Sequence, residues 1–185
     1  RPSEGRFLAY AQSIFSSRQL TNNGPLVCQL ESRLAALHGT ACCVTFCSGF
    51  MALLITLRTV ALSGKREVIM PSATYRRMAD IVQWAGLTPR FADIDERSMG
   101  VDAALYRRCL TDTTALLLGV HPMVNMSDVT GLEGLSRETG IPLIFDSVEA
   151  AYGTIAGKAI GSFARAEVFS MHASKFINGF EGGYV

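Results

Sequence analysis

The sequence predicts an α/β fold, a mainly parallel β-sheet with helices on both faces. Helix-like and strand-like segments alternate along the chain, which is the pattern of such folds. The strand-like segments are apolar almost throughout, as strands covered on both faces are, and do not alternate apolar with polar residues. The chain has 185 residues, 49% of them hydrophobic, which is enough for roughly one domain with a large core.

The first forty residues read as two helices. Residues 5–20 have apolar side chains at helical spacing, and an Asn-Asn-Gly break ends the pattern. Pro25 then opens a second amphipathic helix with its leucines on one side. We therefore expect an N-terminal helical segment at residues 1–40 and the main domain at residues 41–185.

Strands and helices alternate from residue 41 onward. The strand candidates are Cys42–Phe46, Glu67–Met70, Pro89–Ile94, Ala115–Val120, Pro142–Phe145 and Glu167–Met171. Helical patterns lie between most of them, at residues 49–62, 74–85, 102–110 and 127–139. Open sheets of this kind bind ligands outside the carboxyl ends of their strands, so a site is expected in the loops that follow strands.

Five strand exits carry most of the unusual polar residues of the chain. Their sequences are CSGF, PSATY, HPMVN, DSVEAAYG and HASK. CSGF precedes a helix with no acidic residue in its first turn, and free N–H groups there could bind an anion. A plain strand-to-helix turn explains the same residues, because neither GxGxxG nor a P-loop is present.

Asp146 and Lys175 are two charged residues at strand exits. A carboxylate at the rim of a buried sheet is unfavourable unless a cation or several donors meet it, although Asp146 could equally cap the next turn. Lys175 alone is most simply a solvated surface charge. With Tyr75 and a helix N-terminus, however, these residues match every group of pyridoxal phosphate: an acid for the ring nitrogen, an amine for the aldehyde, a ring face and a phosphate site.

Composition excludes several classes of function. The formal net charge of +1 gives no electrostatic reason for binding nucleic acid. The longest apolar stretches are shorter than the roughly 20 residues that span a bilayer, and no apolar signal segment opens the chain. We therefore expect neither nucleic acid nor membrane as a partner, and a cytoplasmic protein.

The five cysteines are not spaced as a metal site, since neither CxxC nor HExxH is present. Cys42, Cys43 and Cys47 lie in the run ACCVTFCSG, which reads as a buried strand and its exit, where cysteine behaves as a small hydrophobe. We expect reduced core thiols and no metal ion.

In their order along the chain, these motifs resemble the DegT/DnrJ/EryC1/StrS family of sugar aminotransferases, pyridoxal phosphate enzymes with the aspartate aminotransferase (type I) fold. The resemblance runs from NNGPLVCQLESRLAALHG through PSATY, FADID, GVH, FDSVEAAYG and GKAIGS to FSMHASKFINGFEGG. It implies a pyridoxal phosphate-binding large domain. It also implies transfer of an amino group from an amino acid, usually L-glutamate, to a nucleotide-linked keto sugar.

The resemblance also implies a role for each site residue. Lys175 takes the place of the lysine that forms the internal aldimine, a Schiff base. Asp146 takes the place of the residue that pairs with the pyridinium nitrogen. The other cofactor-binding residues it implies are Ser48, Gly49, Phe50 and Ser170 at the phosphate, Tyr75 on the ring face and Glu149 near the hydroxyl edge.

Three departures from the family pattern bear on these roles. Phe50 stands where the family usually has Thr, so only backbone donors are expected there. Glu149 stands where many members have Gln or His, and its charge near the phenolate oxygen is unfavourable unless the carboxyl is protonated or turned away. Members also continue well beyond the EGG motif, so we expect part of a longer polypeptide, with the large domain incomplete and the small C-terminal domain absent from this chain.

The family resemblance implies a homodimer with shared active sites, and it leaves alternatives open. One is another type I enzyme, either a lyase or a sugar dehydratase, although dehydratases of the family have histidine in place of Lys175. Another is a non-catalytic regulatory relative, which Phe50 and Glu149 keep open. The sequence decides neither the sugar nor whether a deoxyamino sugar would serve antibiotic or cell-surface glycan biosynthesis.

Overall fold

The computed structural model of the protein, which describes residues 3–123 and 125–185, is built on a seven-stranded sheet with helices on both faces. The helices of the described ranges are α1 (Glu4–Ser17), α2 (Pro25–His38), α3 (Gly49–Val60), α4 (Met78–Trp84), α5 (Ala103–Arg108) and α6 (Val129–Thr139). The strands are β1 (Thr45–Phe46), β2 (Glu67–Pro71), β3 (Thr88–Ala92), β4 (Thr114–Val120), β5 (Leu143–Asp146), β6 (Thr154–Ile155), β7 (Lys158–Ala159), β8 (Ala166–Ser170) and β9 (Gly183–Tyr184).

The order of strands in the main sheet is β1-β9-β8-β5-β4-β2-β3. Strands β3, β2, β4, β5 and β8 are parallel to their neighbours in this series. Strand β9 runs antiparallel to both β1 and β8, so β1 points in the same direction as the parallel strands. The predicted mainly parallel sheet is therefore confirmed, and β1, β2, β4, β5 and β8 end at one edge.

Two hydrophobic clusters cover the two faces of the sheet. Leu116 and Leu118 of β4 pack into a cluster with α3 and α4, whereas Leu117 packs into another with α5 and α6. All three leucines are fully buried. Because successive side chains of a strand point to opposite faces, a strand between two helix layers is apolar at every position, which explains the unbroken apolar runs.

The two N-terminal helices form close to the predicted positions. Helix α2 contributes Leu34 to a third cluster, with Phe169 and Tyr184 from β8 and β9. Helix α1 has no buried residue. Residues 1–2 of the predicted N-terminal segment lie outside the described residues, and the division at residue 40 remains a prediction.

The first strand and its cysteines differ from the prediction. Strand β1 begins at Thr45 rather than at Cys42 and lies at the edge of the sheet, where one side has no neighbouring strand within the described ranges. None of the five cysteines, all of which are described, is buried, and all are free thiols. The expectation of core thiols was therefore wrong, because the run ACCVTFC approaches an edge strand and does not cross the core.

Within the described ranges, no helix combines the length and the apolar character that crossing a membrane requires.

Candidate active site

The five strand-exit loops line one cavity of about 690 Å³ at the carboxyl edge of the sheet. Every residue that the sequence analysis assigned to the site lies in its wall: Ser48, Gly49, Phe50, Tyr75, Asp146, Glu149, Ser170 and Lys175. Because these residues come from segments far apart in the sequence, the parallel sheet is what brings them together.

One end of the cavity is the N-terminus of α3. Ser48 caps this helix, and its hydroxyl accepts a hydrogen bond from the N–H of Met51 at 3.2 Å. The N–H groups of Gly49 and Phe50, at the first helical positions, have no acceptor among the described residues. No acidic residue stands in the first turn, so the positive end of the helix faces the cavity unneutralised and suits an anion.

Glycine is required at position 49 because two other segments approach it closely. A Cβ atom at Gly49 would lie 2.9 Å from the Cβ atom of Ser170, and one at Gly183 would lie 2.5 Å from the backbone nitrogen of Gly49. The glycine of α3 and a glycine of the FEGG run therefore let β8, β9 and α3 meet behind the anion site. The Ser170 hydroxyl accepts the N–H of His172 at 3.2 Å.

Asp146 ends the central strand β5 and is 5% exposed. Its backbone pairs with both neighbouring strands, opposite Val120 of β4 and Val168 of β8. One carboxylate oxygen accepts the N–H of Val148 at 3.2 Å. Burial raises the pKa of this carboxyl to about 6, with a smaller upward contribution from Glu149, although the Val148 N–H and Lys175 lower it. A buried carboxylate of this kind favours a cation or strong donor beside it.

Lys175 lies in the loop that joins β8 to β9. Its own N–H donates to the carbonyl of His172 at 2.9 Å, and Asn178 Nδ2 donates to the carbonyl of Ala173 at 2.6 Å. These bonds fold the loop so that the ammonium group lines the cavity, where it forms an ion pair with Glu149. Among the described residues of the cavity wall, Lys175 is the only lysine or arginine.

The aromatic residues of the site lie on the side of β2 and α4. Tyr75 is 55% exposed at the cavity wall, so its ring is available to a flat ligand. The ring of Phe50 packs edge-on against Trp84 at 5.5 Å between centroids, and the Arg77 guanidinium lies over it at 5.6 Å. The side chain of Phe50 therefore packs against Trp84 and Arg77, and only its backbone N–H is available to the cavity. This is what we expect of a residue that replaces one with a hydroxyl group.

Several wall residues were not assigned to the site from the sequence. The Thr74 hydroxyl is buried and has no hydrogen-bond partner among the described residues, and Glu181 lies in the same wall. His121 is also in the wall, stacked on Phe145 at 4.7 Å, and burial lowers its pKa to about 4. Each of these residues lies in or beside a motif quoted above, but no pattern of residue types in the sequence marks it as a site residue.

The groups present fit pyridoxal phosphate. The free N–H groups of α3 suit a phosphate, the buried Asp146 carboxyl suits a protonated ring nitrogen, and Lys175 supplies an amine. The unpartnered Thr74 hydroxyl leaves a further polar group for a ligand.

Comparison with known proteins gives one family and many relatives. The model of the DegT/DnrJ/EryC1/StrS aminotransferase family matches residues 3–185. The chain is 33% identical over 146 residues to a UDP-N-acetyl-3-dehydro-alpha-D-glucosamine 3-aminotransferase of Acidithiobacillus ferrooxidans, covering 79% of this chain and 40% of that protein. It is 29% identical over 191 residues to an L-glutamine:2-deoxy-scyllo-inosose aminotransferase of Streptomyces lividus, covering 100% and 45%.

Solved structures agree with this result. The crystal structure of DesI in the presence of its TDP-sugar product superposes with a TM-score of 0.89 at 35% identity, over 100% of this chain and 46% of that chain. The chain thus spans about half the length of the relatives it matches.

Proposed function

Because the chain belongs to the DegT/DnrJ/EryC1/StrS aminotransferase family, we propose that it forms the cofactor-binding part of a pyridoxal 5′-phosphate-dependent sugar aminotransferase. The reaction moves an amino group from an amino acid to the keto group of a nucleotide-linked sugar. The observation that carries the proposal is the convergence of Asp146, Lys175 and the α3 N-terminus on one cavity.

The cofactor supplies an electron-accepting ring when its pyridine nitrogen is protonated. Asp146 would keep that nitrogen protonated, because a carboxylate beside it favours its charged form. The N–H groups of Gly49 and Phe50, together with Ser170 and the Ser48 loop, would hold the phosphate. Tyr75 would offer its ring to the face of the cofactor.

Lys175 would be the amine that bonds the cofactor aldehyde, and as a free amine it would move a proton between the substrate carbon that carries the nitrogen and the aldehyde carbon of the cofactor. For either task it must lose the proton of its ammonium form. Its position on a hydrogen-bonded loop places the nitrogen in the cavity wall.

The relatives define the substrates to be tested. The A. ferrooxidans relative is named for a UDP-linked 3-keto sugar, and the S. lividus relative for L-glutamine and a keto-cyclitol. We propose L-glutamate as the donor and a nucleotide-linked keto sugar as the acceptor, with L-glutamine and 2-deoxy-scyllo-inosose as the competing pair.

A homodimer with shared active sites is part of the proposal. Helix α1 exposes large apolar side chains, among them Phe15, which is 75% exposed. Phe7 of this helix contacts Phe180, in the loop that joins β8 to β9, at 5.8 Å between ring centroids. A partner on α1 would therefore lie close to the site. Sedimentation equilibrium should give twice the monomer mass, and a monomer at all concentrations would remove this part of the proposal.

Mass spectrometry of the products tests the reaction itself. The protein is incubated with pyridoxal 5′-phosphate, each donor, and either a panel of UDP- and dTDP-linked keto sugars or 2-deoxy-scyllo-inosose. The proposal predicts 2-oxoglutarate and an aminated nucleotide sugar. A protein that binds the cofactor yet forms no 2-oxo acid with either donor would be a different type I enzyme, and one that binds no cofactor would be a non-catalytic relative.

A further inference from the structure

Glu149 and Lys175 form an ion pair at the point where the cofactor aldehyde must react. The side chains are 28% and 20% exposed, so both charges are largely withdrawn from solvent. The contact joins Glu149 Oε1 to Lys175 Nζ, and no other carboxylate of the described residues lies within ion-pair distance of this nitrogen. Glu149 is therefore the carboxylate that pairs with the reactive nitrogen.

This pairing opposes the chemistry proposed for both residues. An ammonium nitrogen has no lone pair with which to attack a carbonyl. An ionised Glu149 would also lie near the phenolate oxygen of the cofactor, and two negative charges in a partly buried site repel each other. A single proton transfer removes both difficulties.

Building on the proposed function, we propose that Glu149 is the proton acceptor for Lys175 when the cofactor enters. One N–H bond of the Nζ ammonium breaks and one O–H bond forms at Glu149, which leaves a neutral amine and a neutral carboxylic acid. The acid would then be able to donate a hydrogen bond to the phenolate oxygen. The proton stays within the site, so no further reactant is needed.

The neighbouring titratable residues restrict this proton transfer to Glu149 and Lys175. The other titratable residues of the described cavity wall are Tyr75, His121, Asp146, His172 and Glu181. Asp146 already accepts the N–H of Val148, and the ring nitrogen Nδ1 of His172 accepts the N–H of Ser174 at 3.2 Å. Glu181 accepts the N–H of Gly182 at 3.2 Å, and none of these groups contacts Lys175 Nζ.

The first test measures the ammonium state in the cofactor-free protein. The lysines of the chain are Lys65, Lys158 and Lys175, so acetic anhydride labelling can be followed at each by peptide mass spectrometry, with exposed Lys158 as the internal reference. At neutral pH, Glu149→Gln and Glu149→Ala should label Lys175 at least about threefold faster than the wild type. Glu181→Gln, which removes another wall carboxylate, should not. Equal labelling in wild type and both Glu149 variants overturns the proposal.

The second test counts protons. Cofactor uptake is measured in weakly buffered solution at pH 7 with an indicator dye. Wild type should release fewer protons per pyridoxal 5′-phosphate bound than Glu149→Gln, because Glu149 retains the proton of Lys175. Uptake with equal proton release overturns this inference alone, whereas no uptake by wild type overturns the proposed function and the inference together.

Discussion

Asp146 is unfavourable for the stability of the fold, and the proposed function requires it at the site. Its carboxyl is buried at the end of a central strand, with one described hydrogen bond to its side chain, from the N–H of Val148. Its pKa of about 6, against 3.8 normally, means that the folded state binds the proton more tightly than the unfolded state does. Stability therefore falls as the pH rises from about 4 to about 6, and the penalty remains at higher pH.

Asp146→Asn should accordingly stabilise the cofactor-free protein at pH 7.5 while it removes cofactor binding. The free energy of unfolding should rise by about 1–3 kcal/mol, because the amide has no charge to bury and its oxygen can still accept the Val148 N–H. Urea denaturation at pH 7.5 and pH 4 measures the change, and the gain should shrink at pH 4. The exposed Asp112→Asn variant is the control; an equal gain there would contradict this account.

Gly49 tests the anion end of the cavity. Gly49→Ala should weaken pyridoxal 5′-phosphate binding by about tenfold, because the new Cβ would lie 2.9 Å from Ser170 Cβ and 3.3 Å from its Cα, which forces α3 away from β8. Titration of the bound cofactor by absorbance measures the affinity. Gly134→Ala in α6 is the matched control, since a Cβ there has nothing within 4 Å. Unchanged affinity in Gly49→Ala would show that the helix terminus does not hold the phosphate.

At the level of elements, a buried carboxylate joins the loop between β7 and β8 to the site. Glu167 of β8 accepts the N–H groups of Gly161 and Phe163 at 2.7 and 2.8 Å and the hydroxyl of Ser147 at 2.6 Å. Ser147 directly follows Asp146. Burial raises the pKa of Glu167, and the three donors lower it. The loop after β5 is thus fixed from behind the cavity.

Glu167→Ala should lower the free energy of unfolding by about 2–4 kcal/mol, because it leaves the Gly161 and Phe163 N–H groups without an acceptor in the protein. Denaturant titration gives the value. Glu138→Ala breaks a two-bond pair with Arg107 that is exposed on both sides, and should change stability far less. A larger loss in Glu138→Ala than in Glu167→Ala would refute this ranking.

Elements that depend on local pattern could be predicted from the sequence, and elements that depend on partners could not. The apolar runs of β4 and β5 and the Pro25 start of α2 were visible because burial and helix starts leave their own signature. Strand β9 and the hairpin β6–β7 have two residues per strand, too few for any periodicity to show. The burial of the cysteines was mispredicted because edge strands and central strands can contain the same residue types.

The same distinction between local pattern and dependence on partners applies to the site residues. Asp146 and Lys175 stand at strand exits, so the parallel topology predicted that they would share an edge. That Glu149 pairs with Lys175 could not be predicted, because it depends on how the loop from β8 to β9 folds over the cavity. The Thr74 hydroxyl is likewise distinguished only by the absence of a partner among the described residues.

At the scale of the whole molecule, the fold is that of the pyridoxal phosphate-binding domain of type I aminotransferases, as predicted. The matching relatives are about twice as long as this chain. Substrate contacts in the relatives can therefore come from segments that this chain does not contain, whereas the cavity wall described above comes from five loops of one sheet edge.

The proposed function depends most directly on Lys175 as the amine that bonds the cofactor. The protein is incubated with pyridoxal 5′-phosphate, reduced with borohydride and digested, and the pyridoxyl group is located by peptide mass spectrometry. We expect the group on Lys175, at one per chain, and its loss in Lys175→Ala. A pyridoxyl group on Lys65 or Lys158 in place of Lys175, or bound cofactor that survives Lys175→Ala unchanged, would contradict it.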